Sequence, residues 1–296
     1  MRLDRRQFIG ASGAAMLLAG CQQSTTPKAS DRIDRIGIQT YTLREALAQD
    51  FVGTFEMIKD VGYDYVELNR RDFSERSPAE LKQILNDLGL PSPITHVDYD
   101  SLADRASEVG DIAGELGCEH VILPWITDEQ RNLDAYKSHA AMLNRAAETL
   151  KAYGVQVGYH NHQFEFFDLG GGETGMGILL NETDPDLVAF ELDLFWVALT
   201  GTDIVDLFTK NPGRFKYCHV KDLAGDASAY RDSVDFPTIV SKFMKNVGEG
   251  ELPFESYFVA RETAGFQYFV AEHDNPPQPF RESIATSYET MRAMRF

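Results

Sequence analysis

The chain has 296 residues, 43% of them hydrophobic, and its 46 acidic against 28 basic side chains give a formal net charge of −18. Nucleic acids and other polyanions are held by positive surface, so this balance excludes them as partners. The length is that of one large domain plus a short leader.

Met1–Cys21 joins Arg5 and Arg6 to Phe8 and a small, apolar run from Ile9 to Gly20. Asp4-Arg5-Arg6-Gln7-Phe8-Ile9 resembles a twin-arginine export signal, and Leu18-Ala19-Gly20-Cys21 resembles a lipobox, at which cleavage leaves a lipidated cysteine as the new N-terminus. The apolar run is shorter than the roughly 20 residues of a membrane span, which favours a cleaved signal over a retained anchor. Residues 22–30 are polar and read as a tether. The expectation is an exported protein on the periplasmic or cell-surface face of a bacterial membrane. Its membrane contact is a lipid on Cys21, and residues 31–296 are its folded domain. Cys218 lies in an apolar run, so a buried thiol is favoured over a disulfide to Cys118.

From Asp31 onward, short apolar runs alternate with amphipathic stretches. Strands are predicted at 36–41, 63–68, 93–97 and 120–125, with helices at 45–59, 78–88, 103–116 and 133–153. Ser77-Pro78-Ala79-Glu80 is a capping box with proline at the first helical position. The second half repeats the scheme with strands at 155–161, 188–193, 215–220 and 268–272. Its helices fall at 176–181, 204–210, 237–243 with 254–263, and 281–294. Eight strand–helix pairs without a composition break predict an α/β fold, a single-domain (β/α)8 TIM barrel. A doubly wound open sheet is the competitor, but no Gly-x-Gly-x-x-Gly turn follows the first strand.

Reacting groups in such a barrel sit at the C-terminal ends of the strands. In chain order these ends offer Gln39 and Tyr41; Glu67 and Asn69; His96 and Asp98; and Trp125. Strand five gives His160-Asn161-His162 with Glu165 just beyond, followed by Glu191 and Asp193, His219 and Lys221, and Glu272 and Asp274. Crowding such groups is costly unless a cation or polar ligand satisfies them. Asp193, His219 and Glu272 close three consecutive strands and His160 ends the one before, a cage suited to Mn²⁺, Mg²⁺, Co²⁺ or Zn²⁺. The predominance of carboxylates favours Mn²⁺ or Mg²⁺ over a structural zinc. Any one of these residues alone reads as a hydrogen-bonded core or rim residue; the joint placement carries the metal reading.

Gln39-Thr40-Tyr41, Val66-Glu67-Leu68, Tyr159-His160-Asn161-His162 with Phe164-Glu165-Phe166, Leu192-Asp193 with Trp196, His219-Val220-Lys221-Asp222 and the late Glu272 together resemble the xylose isomerase-like TIM barrels. Within them the chain is similar to the group named sugar phosphate isomerases/epimerases, and Val247-Gly248-Glu249-Gly250 matches that group's loop after strand seven. The resemblance runs from about Ile33 to the end. It implies a divalent metal, Mn²⁺ foremost, held by strands five to eight, with Asp193, His219 and Glu272 in ligand positions. Many relatives place glutamate on strand five as ligand and base. This chain has His160 there, with His162 as the alternative after a register slip and Glu165 in reach from the loop.

The implied activity is isomerisation or epimerisation of a sugar or keto-sugar through an enediolate. The Tyr-His-Asn-His pattern is also similar to relatives that dehydrate inososes or cleave 3-keto-glycosides, so a metal-dependent lyase is the alternative. A sugar-binding lipoprotein without turnover is a further one. A nuclease on the same barrel is disfavoured by the acidic charge and the seven histidines. The base is assigned to His162 or Glu165. Lys221, on the same strand face as His219, is an electrophilic partner for substrate oxygen or a counter-ion to the carboxylates. Gln39 and His96 are assigned to substrate hydroxyls, and Trp125 and Trp196 to a sugar face or to core packing. Tyr41, Glu67 and Glu249 complete the substrate set. Gly170-Gly171-Gly172 lacks a P-loop ending and reads as a lid, and the acidic pocket favours an unphosphorylated substrate. Replacing Arg5 and Arg6 by lysine is expected to trap the precursor in the cytoplasm; continued lipidation and surface localisation would refute the export assignment.

Overall fold

Parallel strands covered on both faces read as short, nearly continuous apolar runs, and eight of them pair here. They are β1 (Gly37–Gln39), β2 (Tyr65–Asn69), β3 (Ile94–His96), β4 (His120–Leu123), β5 (Gln156–His160), β6 (Val188–Asp193), β7 (Phe215–Val220) and β8 (Tyr268–Ala271). Each pairs in parallel with its neighbour, and β8 returns to β1, closing the predicted (β/α)8 barrel. The computed structural model describes residues 30–296 except Glu75. The export signal, the lipobox and residues 22–29 of the tether lie outside the described residues. Asp31–Phe296 forms one compact unit. No helix among the described residues is long and apolar enough to cross a membrane. Cys118 and Cys218 are buried free thiols.

Two strands and two helices have the predicted bounds: β6, β7, Pro78–Leu88 and Ile204–Lys210. Ser77 caps Pro78–Leu88 through the expected box, and Gly89 ends it in the left-handed region (φ 59°). The helix expected at 45–59 is broken into Arg44–Gln49 and Phe51–Val61, because the Asp50 carboxylate accepts from Gly53 N and starts the second helix. Tyr41 lies in the 3-10 turn Thr40–Leu43, not on β1, and Trp125 follows Pro124 beyond the end of β4. Helix Leu194–Thr200 and the antiparallel ribbon of Asp222–Leu223 with Met244–Lys245 have no counterpart in the sequence reading.

Tyr65, Ile94, Ile122, Ala189, Tyr217 and Val270 form an apolar cluster within the barrel. Tyr65 reaches from β2 past β1 to β8, where its hydroxyl donates to Phe269 O (2.8 Å) and accepts from Phe269 N (2.9 Å). Gly37 on β1 makes the crossing possible, since a Cβ there would overlap the Tyr65 ring. Gly37→Ala is therefore expected to destabilise the barrel by about 1–3 kcal/mol, the usual cost of overpacking. An unchanged melting temperature would contradict this packing.

Candidate functional site

Side chains two apart on a strand share a face. On β6 this puts Glu191 and Asp193 together on the barrel interior, in register with His160 of β5 and His219 of β7 respectively. Lys221 follows His219 by two residues, and Glu272 follows the end of β8. The result is a buried polar layer over the apolar cluster.

Its inner part is built on two carboxylates. Glu67 Oε1 accepts from Gln39 Nε2 (2.6 Å) and lies 2.5 Å from His96 Nε2 and 3.1 Å from His219 Nε2. Glu191 Oε2 lies 2.8 Å from His96 Nε2, 3.1 Å from His160 Nδ1 and 3.2 Å from His219 Nε2. The outer part turns the opposite nitrogens toward Asp193 and Glu272. His160 Nε2 is 3.8 Å from Asp193 Oδ2, and His219 Nδ1 is 2.7 Å from Glu272 Oε2 and 4.0 Å from Asp193 Oδ2. Lys221 Nζ is ion-paired to Asp193 (2.9 Å), Glu272 (2.7 Å) and Asp274 (2.9 Å). Asp193 is fixed by its surroundings: its Oδ1 accepts from Trp196 N, capping helix Leu194–Thr200, and its own N donates to Asn161 Oδ1.

His160, Asp193, His219 and Glu272 each offer a ligand atom, and these atoms lie within 4.8 Å of one another. An overlapping set is made by His96, His160, Glu191 and His219. Glu191 Oε1 is buried with no hydrogen-bond partner, while Asp193 Oδ2 faces Lys221 Nζ at 2.9 Å and His219 Nδ1 faces Glu272 Oε2 at 2.7 Å. Asp193, Glu272 and Asp274 share the single ammonium of Lys221, and a buried excess of carboxylate over cation is what a metal ion relieves. Two carboxylates and two imidazoles are a donor set for Mn²⁺, Zn²⁺ or a similar divalent ion. The residues present fit a metal.

The electrostatics divide the imidazoles. Burial, reinforced by the neighbouring His219, pushes His160 well below the usual histidine range. Burial, followed by the Lys221 charge, does the same to His162. For His96 and His219 burial also opposes the charge, but carboxylates outweigh it. Glu67 and Glu191 raise His96 to about 9, and Glu191, Glu67 and Glu272 hold His219 well above the usual histidine range. Burial raises Asp193 to about 6 despite Lys221. For Glu272 burial is overcome by Lys221 and His219, which hold it below the ordinary carboxylate range.

A cavity of about 690 Å³ opens above this layer, lined by His96, His160, Lys221 and Glu272 together with Tyr41, Trp125 and His162. The half-buried His162 meets Trp125 edge-on at 4.9 Å and stacks on Phe164 at 5.4 Å, and its Nδ1 has no hydrogen-bond partner.

Seven candidates do not line this cavity: Asp193 and His219, which lie in the buried layer, and five others. Glu165, a base candidate in the sequence, is fully buried and committed elsewhere, accepting from Tyr159 OH (2.6 Å) and His162 N (2.8 Å). Burial lifts it to about 7. Trp196 packs in a satellite core with Phe195, Leu199, Ile239 and Phe243. Glu249 is exposed and accepts from Asn246 Nδ2, in a loop whose Gly248 and Gly250 amides donate to Asp222. Gln39 and Glu67 contact His96 rather than the cavity. The Gly170–Gly172 loop is closed on itself by the Asp168 carboxylate and also takes no part in the lining.

The wall includes Arg44, Arg71 and Phe236, to which the sequence reading assigned nothing. Both arginines stack on Tyr41, at 4.4 and 4.9 Å, so the pocket is not uniformly acidic and one premise for an unphosphorylated substrate falls. Arg44 opens helix Arg44–Gln49 and Arg71 lies in the 3-10 turn Arg70–Phe73, where no periodicity marks them. Glu191 was visible as a strand end, and its spacing from Asp193 was the available signal.

The family described as xylose isomerase-like TIM barrel matches residues 55–291. An inosose dehydratase of Lacticaseibacillus casei is 27% identical over 161 residues, covering 51% of this chain and 52% of that protein, so the match spans about half the relative's length. A solved sugar phosphate isomerase/epimerase from Parabacteroides distasonis ATCC 8503 superposes with a TM-score of 0.73 at 23% identity, over 92% of this chain and 98% of that one. The IOLI protein, solved with a bound zinc atom, gives 0.70 at 17% identity over 88% and 99%. At these identities the two solved structures establish the fold.

Adding Mn²⁺ to chelator-stripped protein is expected to raise its melting temperature, by the equivalent of about 2.7 kcal/mol at a hundred times Kd. Asp193→Asn keeps the helix-capping oxygen and loses the anionic one that faces the ion site beside Lys221, so it should forfeit that gain. An Asp193→Asn protein still stabilised as well as wild type would remove Asp193 from the ion site.

Proposed function

Because the chain belongs to the xylose isomerase-like TIM barrel family, we propose that it is a divalent-metal-dependent isomerase or epimerase of a small sugar or keto-sugar. The observation that carries the reading is the convergence of His160, Asp193, His219 and Glu272 beside a cavity that His162 also lines. A divalent ion, with Mn²⁺ as the proposed occupant, would supply Lewis-acid polarisation of the substrate carbonyl.

His162 is the base. Burial keeps its imidazole neutral, Trp125 and Phe164 fix the ring plane, and the ring lines the cavity in which the proton α to the carbonyl would be taken. Glu165 serves it indirectly by accepting from the His162 backbone amide. Lys221, held by three carboxylates and lining the cavity, presents a fixed positive charge to the oxygen on which negative charge develops. Trp125, exposed at 42%, offers an apolar face to the sugar ring. Return of the proton to the opposite face of the carbon epimerises, and return to the adjacent carbon isomerises.

Elimination of a β-substituent from the same enediolate would make the protein a dehydratase or lyase. The 27% identity to an inosose dehydratase favours this second reading. A non-catalytic sugar-binding role is the alternative that the strand-five histidine motivates. We also propose that the protein is exported and anchored through a lipid on Cys21, on the strength of its leader sequence.

Deuterium uptake from D₂O into keto-sugars and 3-keto-glycosides tests the reading. Uptake should require Mn²⁺, vanish with EDTA, and fall about 10²–10⁴-fold in His162→Gln. Sugar binding without any uptake would transfer the assignment to a binding protein, and uptake indifferent to chelation would remove the metal. Lys221→Met should also lose turnover; kcat/KM within a few-fold of wild type would reduce Lys221 to a counter-ion.

A further inference from the structure

We propose that Glu191 is a positioning residue that sets the tautomers of both imidazoles in the ion site, an inference that rests on the ligand set proposed above. Glu191 is fully buried, does not line the cavity, and has no role in the reaction as described. Its Oε2 is nevertheless within 3.2 Å of nitrogens on His96, His160 and His219.

An ionised carboxylate only accepts hydrogen bonds. A neutral imidazole that donates from one nitrogen presents a lone pair at the other. His160 reaches Glu191 with Nδ1 at 3.1 Å, so its lone pair is at Nε2, the nitrogen facing Asp193 Oδ2. His219 reaches Glu191 with Nε2 at 3.2 Å, so in the ion-bound state its lone pair is at Nδ1, the nitrogen facing Glu272 Oε2 and Asp193 Oδ2. The two histidines enter from β5 and β7, on either side of the strand that carries Glu191, in opposite ring orientations. One common acceptor makes the nitrogen that each turns outward the one able to bind the ion. Ligand histidines held this way by a carboxylate are aimed and made more basic.

The two are not equally dependent on Glu191. His219 Nε2 makes its aligned hydrogen bonds to Glu67, with oxygens at 3.1 and 3.3 Å, and has Glu191 beside them at 3.2 Å. His160 Nδ1 has Glu191 as its hydrogen-bond partner. Loss of the Glu191 charge should therefore release His160 first. Glu191→Gln can turn its amide NH₂ toward His160 Nδ1, which favours the tautomer with the proton on Nε2, inside the ion site. The inner cluster could instead hold a second ion. That ion would compete for the nitrogens already directed at Glu191, and His160 and His219 would each have to bridge two cations.

The test is Mn²⁺ titration of the full chain by calorimetry, for wild type, Glu191→Gln, Glu67→Gln and Asp193→Asn. One ion per chain is expected, with affinity about 10–100-fold weaker in Glu191→Gln and less affected in Glu67→Gln. Wild-type affinity in folded Glu191→Gln would overturn the proposal. So would two ions per chain falling to one in that variant, which would make Glu191 a ligand. If Asp193→Asn also binds like wild type, the ligand set itself fails; if Asp193→Asn alone loses affinity, only the role of Glu191 fails. Nitrogen-15 spectra of the metal-free wild type keep the question open to refutation should the variant not fold. His160 should be the Nδ1–H tautomer, and an Nε2–H tautomer would overturn the proposal.

Discussion

Placing several ionisable side chains in one dry layer is the constraint on which this barrel depends. Glu67, Glu191, Asp193 and Glu272 meet His96, His160, His219 and Lys221 there, and all are buried. Buried charge is tolerated when it is paired and hydrogen-bonded, and an uncompensated member costs several kcal/mol. The inner carboxylates are met by imidazoles and an amide, with Glu191 Oε1 left over, while the outer ones, Asp193 and Glu272, share the single ammonium of Lys221. The layer opens to the cavity through His96, His160, Lys221 and Glu272. That opening is what turns a polar core into a site.

The parts of the fold that the sequence made legible are those where local and tertiary signals coincide. β6 and β7 are apolar runs covered on both faces, and their ends at Asp193 and Val220 match the expected ones. Pro78–Leu88 carries its own start signal in Ser77 and Glu80. Helix Leu194–Thr200 was missed because it follows β6 with no turn: Asp193 is both the last strand residue and the cap of the helix. That dual role also fixes which Asp193 oxygen faces the site.

Residue type and strand position were enough to bring together His160, Asp193, His219 and Glu272, since strand ends in a closed barrel converge by geometry. They were not enough for residues on turns and loops. Glu165 looked available because its sequence position is close to His162, yet the turn at Phe164–Phe166 folds its carboxylate back onto Tyr159 and the His162 amide. Trp196 and Trp125 were indistinguishable by type, and only the packing of helix Leu194–Thr200 buries one and leaves the other at the cavity. Arg44 and Arg71 show the converse. A net charge of −18 hides two guanidiniums at a site whose local polarity differs from the surface average.

The central claim is that a divalent ion completes the outer half of this layer. Crystals of the protein grown with Mn²⁺ and measured for anomalous scattering at the manganese edge would test it most directly. The account predicts one peak per chain, within bonding distance of Asp193 Oδ2, His219 Nδ1, His160 Nε2 and the Glu272 carboxylate. An empty outer cluster, with manganese absent or bound at another place on the chain, would contradict it.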